Sequence, residues 1–145
     1  MSDRSTARLM APALTAIGVS LMSLTAPALA QDTRPVVVEL FTSQGCSSCP
    51  PADAFLGDLA QRRNVIALAW HVDYWNYLGW KDPFALTEAT QRQRVYGRRL
   101  GLPYVYTPQM VIDGRFDERG FDRSGVQDRI EEQAEAVVRP PVSVS

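Results

Sequence analysis

The chain has few of the residues that metal sites and nucleic-acid surfaces require. It contains one histidine and two cysteines, too few for a structural zinc site, which takes four nitrogen or sulfur ligands. Its formal net charge is −1 and no block of like charges is present, so no basic surface for nucleic acid is expected. Repeats and low-complexity tracts are absent, and only the first thirty residues hold an apolar run of nearly membrane-spanning length. The remainder is predicted to be one soluble globular domain.

The first thirty residues differ from the rest of the chain. Arg4 and Arg8 precede an apolar run from Leu9 to Leu24, and the sequence Ala-Leu-Ala at 28–30 is typical of a signal-peptidase cleavage site. Residues 1–30 are therefore interpreted as a secretory signal peptide, with a membrane anchor as the alternative. We expect the mature protein to begin near Gln31, to be periplasmic or secreted, and to have no stable membrane association after cleavage.

The hydrophobic pattern after the signal peptide predicts alternating strands and helices. Strands are predicted at 36–41, 65–72, 109–112 and near 115–117; helices are predicted at 47–63, from the Asp82 cap to Leu100, and after a cap at Ser124. Both of the first two strands are expected to be buried. The order β-α-β-α-β-β-α predicts an α/β fold in which helices flank a mixed sheet, with the domain at 31–139. Residues 140–145 are interpreted as the start of a further element that the chain cuts short.

The two cysteines form a Cys-Ser-Ser-Cys sequence at the predicted junction of the first strand and first helix. A disulfide three residues apart constrains the unfolded chain very little, so redox or metal chemistry explains the pair better than stability. A helix N-terminus presents N–H groups and a positive dipole end that favour a thiolate. Cys46 is therefore the predicted nucleophile and Cys49 the resolving cysteine. Pro50 and Pro51 follow at once, which predicts an irregular helix start.

A second signal is the Thr107-Pro108 sequence directly before the predicted strand at 109–112. With the cysteine pair and the element order, it resembles the thioredoxin superfamily. The resemblance implies a cis bond before Pro108, which would lie against the redox pair, and a Thr107 backbone that pairs with substrate; an ordinary trans proline is the alternative. It also implies that Glu39, a charged residue in an apolar strand, acts as a base toward the resolving cysteine. The alternative for Glu39 is an exposed strand end.

His71 and Trp75 lie at the carboxyl end of the second predicted strand, the edge where open α/β sheets place their sites. His71 is a candidate site residue near the cysteines, and Trp75 and Trp80 are candidates for a peptide-binding groove. Structural roles in packing are the alternative for all three.

Four longer motifs resemble one bacterial family more closely. They are VELFTSQGCSSCPPAD at 38–53, HVDYW at 71–75, LGWKDPF at 78–84 and YTPQMVIDG at 106–114. Together they are similar to the exported bacterial family of unknown function 1223 (DUF1223). The resemblance implies a thioredoxin-like core, an unsettled biochemical activity and a C-terminal part longer than the one present here.

Three functional hypotheses remain open. The first is an exported thiol–disulfide oxidoreductase that acts on protein or small thiol and disulfide substrates, together with an unidentified redox partner, and needs no cofactor beyond its own disulfide. The second is a copper metallochaperone in which Cys46, Cys49 and His71 bind Cu(I), although the chain has no further methionine-rich or histidine cluster. The third is a binding module with this fold whose disulfide does not turn over.

Overall fold

The computed structural model describes residues 34–136. The strands are β1 (Val36–Thr42), β2 (Val65–His71), β3 (Gln109–Ile112) and β4 (Phe116–Arg119); the helices are α1 (Pro50–Leu59), α2 (Thr87–Arg99) and α3 (Arg123–Glu135), with a short 3-10 helix at Asn76–Leu78. The signal peptide predicted at 1–30 and the element predicted at 140–145 lie outside the described residues. Within 34–136, no helix has the length and hydropathy needed to cross a membrane.

The four described strands form one mixed sheet in the order β2-β1-β3-β4. β1 pairs with β2 in parallel and with β3 antiparallel, and β3 pairs antiparallel with β4. The β3–β4 turn contains Asp113 and Gly114 with φ values of 49° and 66°, the left-handed conformation that a short hairpin requires. This α/β arrangement confirms the predicted fold class and is consistent with a thioredoxin-like sheet.

Each face of the sheet is covered by different helices. One face carries the main core, which joins β1 and β3 to α1 and α3; its largest members include Leu40, Phe55, Met110 and Ile130. The opposite face packs against α2 through Phe41, Val111 and Tyr96. The side chains of β1 therefore divide between a face toward α1 and a face toward α2, which decides where each functional candidate on this strand points.

The expectation that β2 is a buried strand is wrong. Ile66 is 43% exposed and Leu68 is 37% exposed. In the described part of the sheet β2 is an edge strand, so its side chains have a neighbouring strand on one side only. The β-branched residues at 65–66 are typical of edge strands and of buried central strands alike, so the sequence pattern does not show which of these two positions β2 takes in the sheet.

The second helix begins later than predicted. α2 starts at Thr87 with an extended Leu86 as its N-cap and no side-chain cap, so the prediction that Asp82 caps a helix starting at Pro83 is wrong. Asp82 instead directs its carboxylate to Gln44 and His71 in distant segments. A buried carboxylate gains more from several such donors than from a local cap.

The other helix ends agree with the sequence in part. α1 is shorter than the predicted 47–63 and begins at Pro50, where proline is tolerated because first-turn N–H groups lack helical partners anyway. α3 is capped by Asp122, which accepts a hydrogen bond from Gly125 N at 3.0 Å, and not by the predicted Ser124. Gly101, with φ 67°, ends α2 as predicted.

Candidate functional site

The two cysteines form a disulfide in the turn between β1 and α1. Their sulfurs are 2.11 Å apart and their Cα atoms 5.4 Å apart. Cys46 N donates to Ser43 O and Cys49 N donates to Cys46 O, both at 3.1 Å. Cys46 is 2% exposed and Cys49 is fully buried. The turn that carries the disulfide is therefore held by backbone hydrogen bonds, and both cysteines are shielded from bulk solvent.

The first turn of α1 has the irregular start predicted from its prolines but lacks the free N–H groups expected to favour a thiolate. Pro50 and Pro51 occupy its first positions and carry no N–H. The next two N–H groups, of Ala52 and Asp53, both donate to Cys49 O, at 2.9 and 3.0 Å. No free N–H of this turn is left for a thiolate. The donor closest to Cys46 Sγ among described side chains is the Ser48 hydroxyl, at 3.5 Å.

Trp75 links the cysteine turn to the Thr107–Pro108 loop. Its indole Nε1 donates to Thr107 Oγ1 at 2.8 Å, and its Cβ lies so close to Gly45 that a side chain at Gly45 would contact it at 3.0 Å. Gly45 directly precedes Cys46. The structure therefore brings together three segments that the sequence analysis had proposed for the site.

The Thr107–Pro108 bond is cis, as the resemblance implied. Pro108 is buried, and its carbonyl accepts a hydrogen bond from Gly120 N at 3.0 Å. A Cβ built on Gly120 would lie 2.8 Å from Pro108 Cβ and 2.9 Å from Ala52 Cβ. The end of β4, the Pro108 loop and the first turn of α1 thus pack directly on one another.

Asp82 is a buried hub that the sequence analysis missed as a site residue. Its Oδ2 accepts hydrogen bonds from Gln44 N at 2.8 Å and from His71 Nδ1 at 2.7 Å, and its Oδ1 accepts one from Phe84 N at 2.9 Å. Burial raises the pKa of Asp82, but the hydrogen bonds from Gln44, His71 and Phe84 outweigh it and the net pKa is lowered. Asp82 therefore stays ionised and fixes the residue two positions before Cys46.

His71 lies at the carboxyl end of β2, as predicted, and its side chain is 23% exposed. Its ring packs edge-on against Phe84 with centroids 5.4 Å apart. Within residues 34–136, its polar contact is with Asp82, and neither cysteine is among its hydrogen-bond partners. The structure thus connects His71 to the cysteine turn through Asp82 and Gln44.

Glu39 is buried, 2% exposed, so the alternative of an exposed strand end is wrong. Its carboxylate accepts hydrogen bonds from Trp70 Nε1 at 2.7 Å, from Arg92 Nε at 2.5 Å and from Tyr96 Oη at 2.5 Å. Burial first, and the hydrogen bond to Glu39 second, raise the pKa of Tyr96 to about 12. All these partners lie on the α2 side of the sheet, so the structure does not bring Glu39 into contact with the cysteines.

An exposed apolar segment follows β2 and borders the cysteine turn. Trp80 is 60% exposed, Tyr77 78% and Phe84 63%. Trp80 Nε1 donates to the Gln44 side chain at 3.1 Å, which ties this segment to the turn. Among residues 34–136, no cluster of three or more histidine, cysteine, aspartate or glutamate side chains has the geometry of a metal site.

Comparison with known proteins places the chain in a family. A family model described as a protein of unknown function (DUF1223) matches residues 37–145. The X-ray crystal structure of a protein from Agrobacterium tumefaciens is similar, with a TM-score of 0.66 and 52% sequence identity over 71% of this chain and 46% of that chain. The chain thus spans less than half the length of that relative. No curated protein matches the chain. Because the matched region covers most of the chain, including the cysteine turn, the chain belongs to the DUF1223 family of proteins of unknown function.

Proposed function

We propose that this protein is an exported thiol–disulfide oxidoreductase whose redox group is the Cys46–Cys49 disulfide. The observation that carries the proposal is the position of the pair, three residues apart at the β1–α1 junction, in a turn fixed from outside by Trp75 and Asp82. So short a bridge adds little to stability. Its fixed surroundings favour a reversible chemical role over a structural one.

The proposed reaction exchanges one disulfide for another. A substrate thiolate attacks Cys46 Sγ, the Cys46–Cys49 bond breaks, and Cys49 leaves as a thiolate that takes up a proton. A second substrate thiolate then attacks the substrate sulfur of the mixed disulfide and releases Cys46. The substrate dithiol loses two electrons and two protons, and the protein dithiol gains them. The reverse sequence reduces a substrate disulfide.

Other residues position the reactants in this proposal. The Thr107 backbone pairs with an extended substrate next to Cys46, the buried Pro108 supports that loop from beneath, and Trp75 holds the loop against the cysteine turn. His71 acts through Asp82 on the placement of Gln44. A base role for Glu39 stays a prediction, and its contacts with Arg92 and Tyr96 support a structural role.

The experiment compares the wild-type protein with Cys46→Ser, Cys49→Ser and, as a matched control, Ser47→Ala, which changes an exposed residue of the same turn. Insulin reduction and oxidation of a reduced unfolded protein are both measured. We expect wild type and Ser47→Ala to turn over, Cys46→Ser to be inactive, and Cys49→Ser to accumulate a mixed disulfide. Equilibration with glutathione then gives the direction in which the pair works.

Two outcomes would contradict the proposal. One is equal, slow alkylation of both reduced cysteines with no turnover in either assay, which would favour a binding module. The other is stoichiometric Cu(I) binding without turnover, which would favour the metallochaperone hypothesis.

The proposal that the protein is exported depends on residues 1–30, which lie outside the described residues. N-terminal sequencing of the protein from the producing bacterium is expected to begin near Gln31. A protein recovered from the cytosol with Met1 intact would refute export, and with it the oxidising surroundings in which a stable disulfide is expected.

A further inference from the structure

A cavity of about 590 Å³ lies between the segment at 102–106 and the end of β4. Aromatic rings form much of its wall. Tyr104 is 68% exposed and Phe121 is 62% exposed, and the Tyr104 and Tyr106 rings meet edge-on with centroids 6.3 Å apart. The faces of such aromatic rings attract apolar groups and cations.

The charged side chains that line the cavity give it a net negative charge. Asp117, Glu118 and Asp122 line it with a single cation, Arg119. Glu118 is neutralised by an ion pair with Arg129 at 3.1 Å. Asp117 receives only neutral donors, Tyr106 Oη at 3.0 Å and Gln109 Nε2 at 2.5 Å, and no ion pair to it is found within residues 34–136.

Asp117 is therefore a half-buried carboxylate at the side of an aromatic cavity, and its described partners are a hydroxyl and an amide. Arg119 does not neutralise it by contact, because its guanidinium lies over the Phe121 ring, 6.0 Å from the centroid. The carboxylate and the exposed ring of Tyr104 together present the two features that bind an organic cation, a countercharge and a π surface.

The cavity adjoins the Thr107–Pro108 loop, which the proposed redox site uses. Tyr106 directly precedes Thr107, and Gly120, between Arg119 and Phe121, donates its N–H to Pro108 O at 3.0 Å. A polypeptide that pairs with Thr107 and presents a cysteine to Cys46 would therefore extend past this cavity.

We propose that the cavity binds a lysine or arginine side chain of the substrate polypeptide, near its reacting cysteine. This inference rests on the proposed oxidoreductase function and names its substrate class: basic polypeptides. The side chain's cation contacts Asp117 and its stem lies against Tyr104.

Binding is tested first without redox chemistry. Two model substrate peptides are used, and in both a serine replaces the reacting cysteine. They differ at one position only, which is arginine in one peptide and its neutral isostere citrulline in the other. Affinities for the oxidised full-length protein are measured by calorimetry. We expect the arginine peptide to bind about three- to tenfold more tightly, and the difference to shrink at high salt.

Variants then locate the effect. Asp117→Asn is expected to remove the preference for arginine, whereas Asp128→Asn, which removes an exposed carboxylate of α3 outside the cavity, is expected to keep it. Tyr104→Ala changes an exposed residue outside the core. It provides a second test of the preference for the arginine peptide if Asp117→Asn does not fold. Equal binding of the two peptides, or an unchanged preference in both cavity variants, overturns the proposal.

Turnover separates the two proposals. Cysteine-containing versions of the same peptides are assayed for oxidation by the protein disulfide. Oxidation of both at equal rates with no difference in affinity would overturn the cation subsite alone. A clear preference in binding with no oxidation of either peptide would overturn the oxidoreductase function and leave the cavity as a cation-binding site.

Discussion

The indole of Trp75 donates a hydrogen bond to Thr107 across 32 residues of sequence, at 2.8 Å. Because the same residue packs on Gly45, one side chain sets the spacing between the cysteine turn and the loop that would pair with substrate. Trp75 thus links the two loops of the candidate site.

Trp75→Phe removes this hydrogen bond while keeping an aromatic ring. We expect the free energy of unfolding to fall by about 1–2 kcal/mol, because Thr107 loses a partly buried partner. Trp80→Phe is the matched control: it also removes an indole hydrogen bond, but from a residue that is 60% exposed, so a change within about 0.5 kcal/mol is expected. Urea denaturation of the oxidised proteins measures both, and equal losses would contradict the bridging role.

The Ser48 hydroxyl, 3.5 Å from Cys46 Sγ, should stabilise the Cys46 thiolate after reduction, since the first turn of α1 has no free N–H to do so. Ser48→Ala is expected to slow alkylation of reduced Cys46 at neutral pH by about three- to tenfold. Ser47→Ala, in the same turn, should leave the rate unchanged. If both variants react like wild type, the thiolate is stabilised by other groups.

Asp82→Ala would leave three donors without their acceptor: two backbone N–H groups and the imidazole of His71. We expect a loss of about 2–4 kcal/mol in unfolding free energy and faster alkylation of Cys49 in the reduced protein, because the turn around Gln44 is released. Asp58→Ala removes a 68% exposed carboxylate from a surface ion pair and should change stability by less than about 0.5 kcal/mol. An unchanged stability in Asp82→Ala would refute its role as a hub.

Gly120→Ala tests the packing between the Pro108 loop and α1. The new Cβ would be 2.8 Å from Pro108 Cβ and 2.9 Å from Ala52 Cβ, so we expect a loss of about 1–3 kcal/mol. Gly57→Ala adds the same methyl group within α1, where nothing lies within 4 Å, and should stabilise the protein by about 0.5–1 kcal/mol. Opposite signs in thermal denaturation would support the contact, and equal signs would argue against it.

Tyr96 gives the fold a predictable response to alkali. Its pKa is raised to about 12 by burial and by Glu39, against about 10 in an unfolded chain. The folded state therefore holds the phenolic proton more tightly, and this contribution is complete below about pH 10 and is lost as the pH rises toward 12. Tyr96→Phe should flatten the fall in stability over this range, whereas Tyr77→Phe, at a 78% exposed residue, should not. Denaturation curves at several alkaline pH values provide the measurement.

The parts of the fold that the sequence predicted are those governed by local signals. β3 was predicted at its observed bounds, and the turn at Asp113-Gly114 and the end of α2 at Gly101 followed from glycine and hairpin preferences. The edge position of β2 was missed, because burial of a strand depends on neighbours that its own residues do not specify.

The disulfide pair and the cis proline of the candidate site were predicted, whereas the residues that hold the cysteine turn in place were missed in part. Cys46, Cys49 and Pro108 belong to recognisable motifs, but Asp82 reads as a helix cap, because its real partner Gln44 is 38 positions away. The cavity beside Asp117 was missed for the same reason: its wall combines the segment at 102–106 with the end of β4, and no periodicity links the two.

The supports of the cysteine turn have a consequence for how the protein matures. The contacts that fix this turn join Gln44 to Asp82, 38 positions away, and Gly45 to Trp75, about 30 positions away, and such contacts form only when most of the chain has assembled. Until then the two cysteines are ordinary neighbouring thiols on a mobile chain. Under the proposed function, a newly synthesised chain is expected to acquire its thiol–disulfide reactivity only once the domain is complete, which would limit unwanted exchange with other polypeptides during biogenesis.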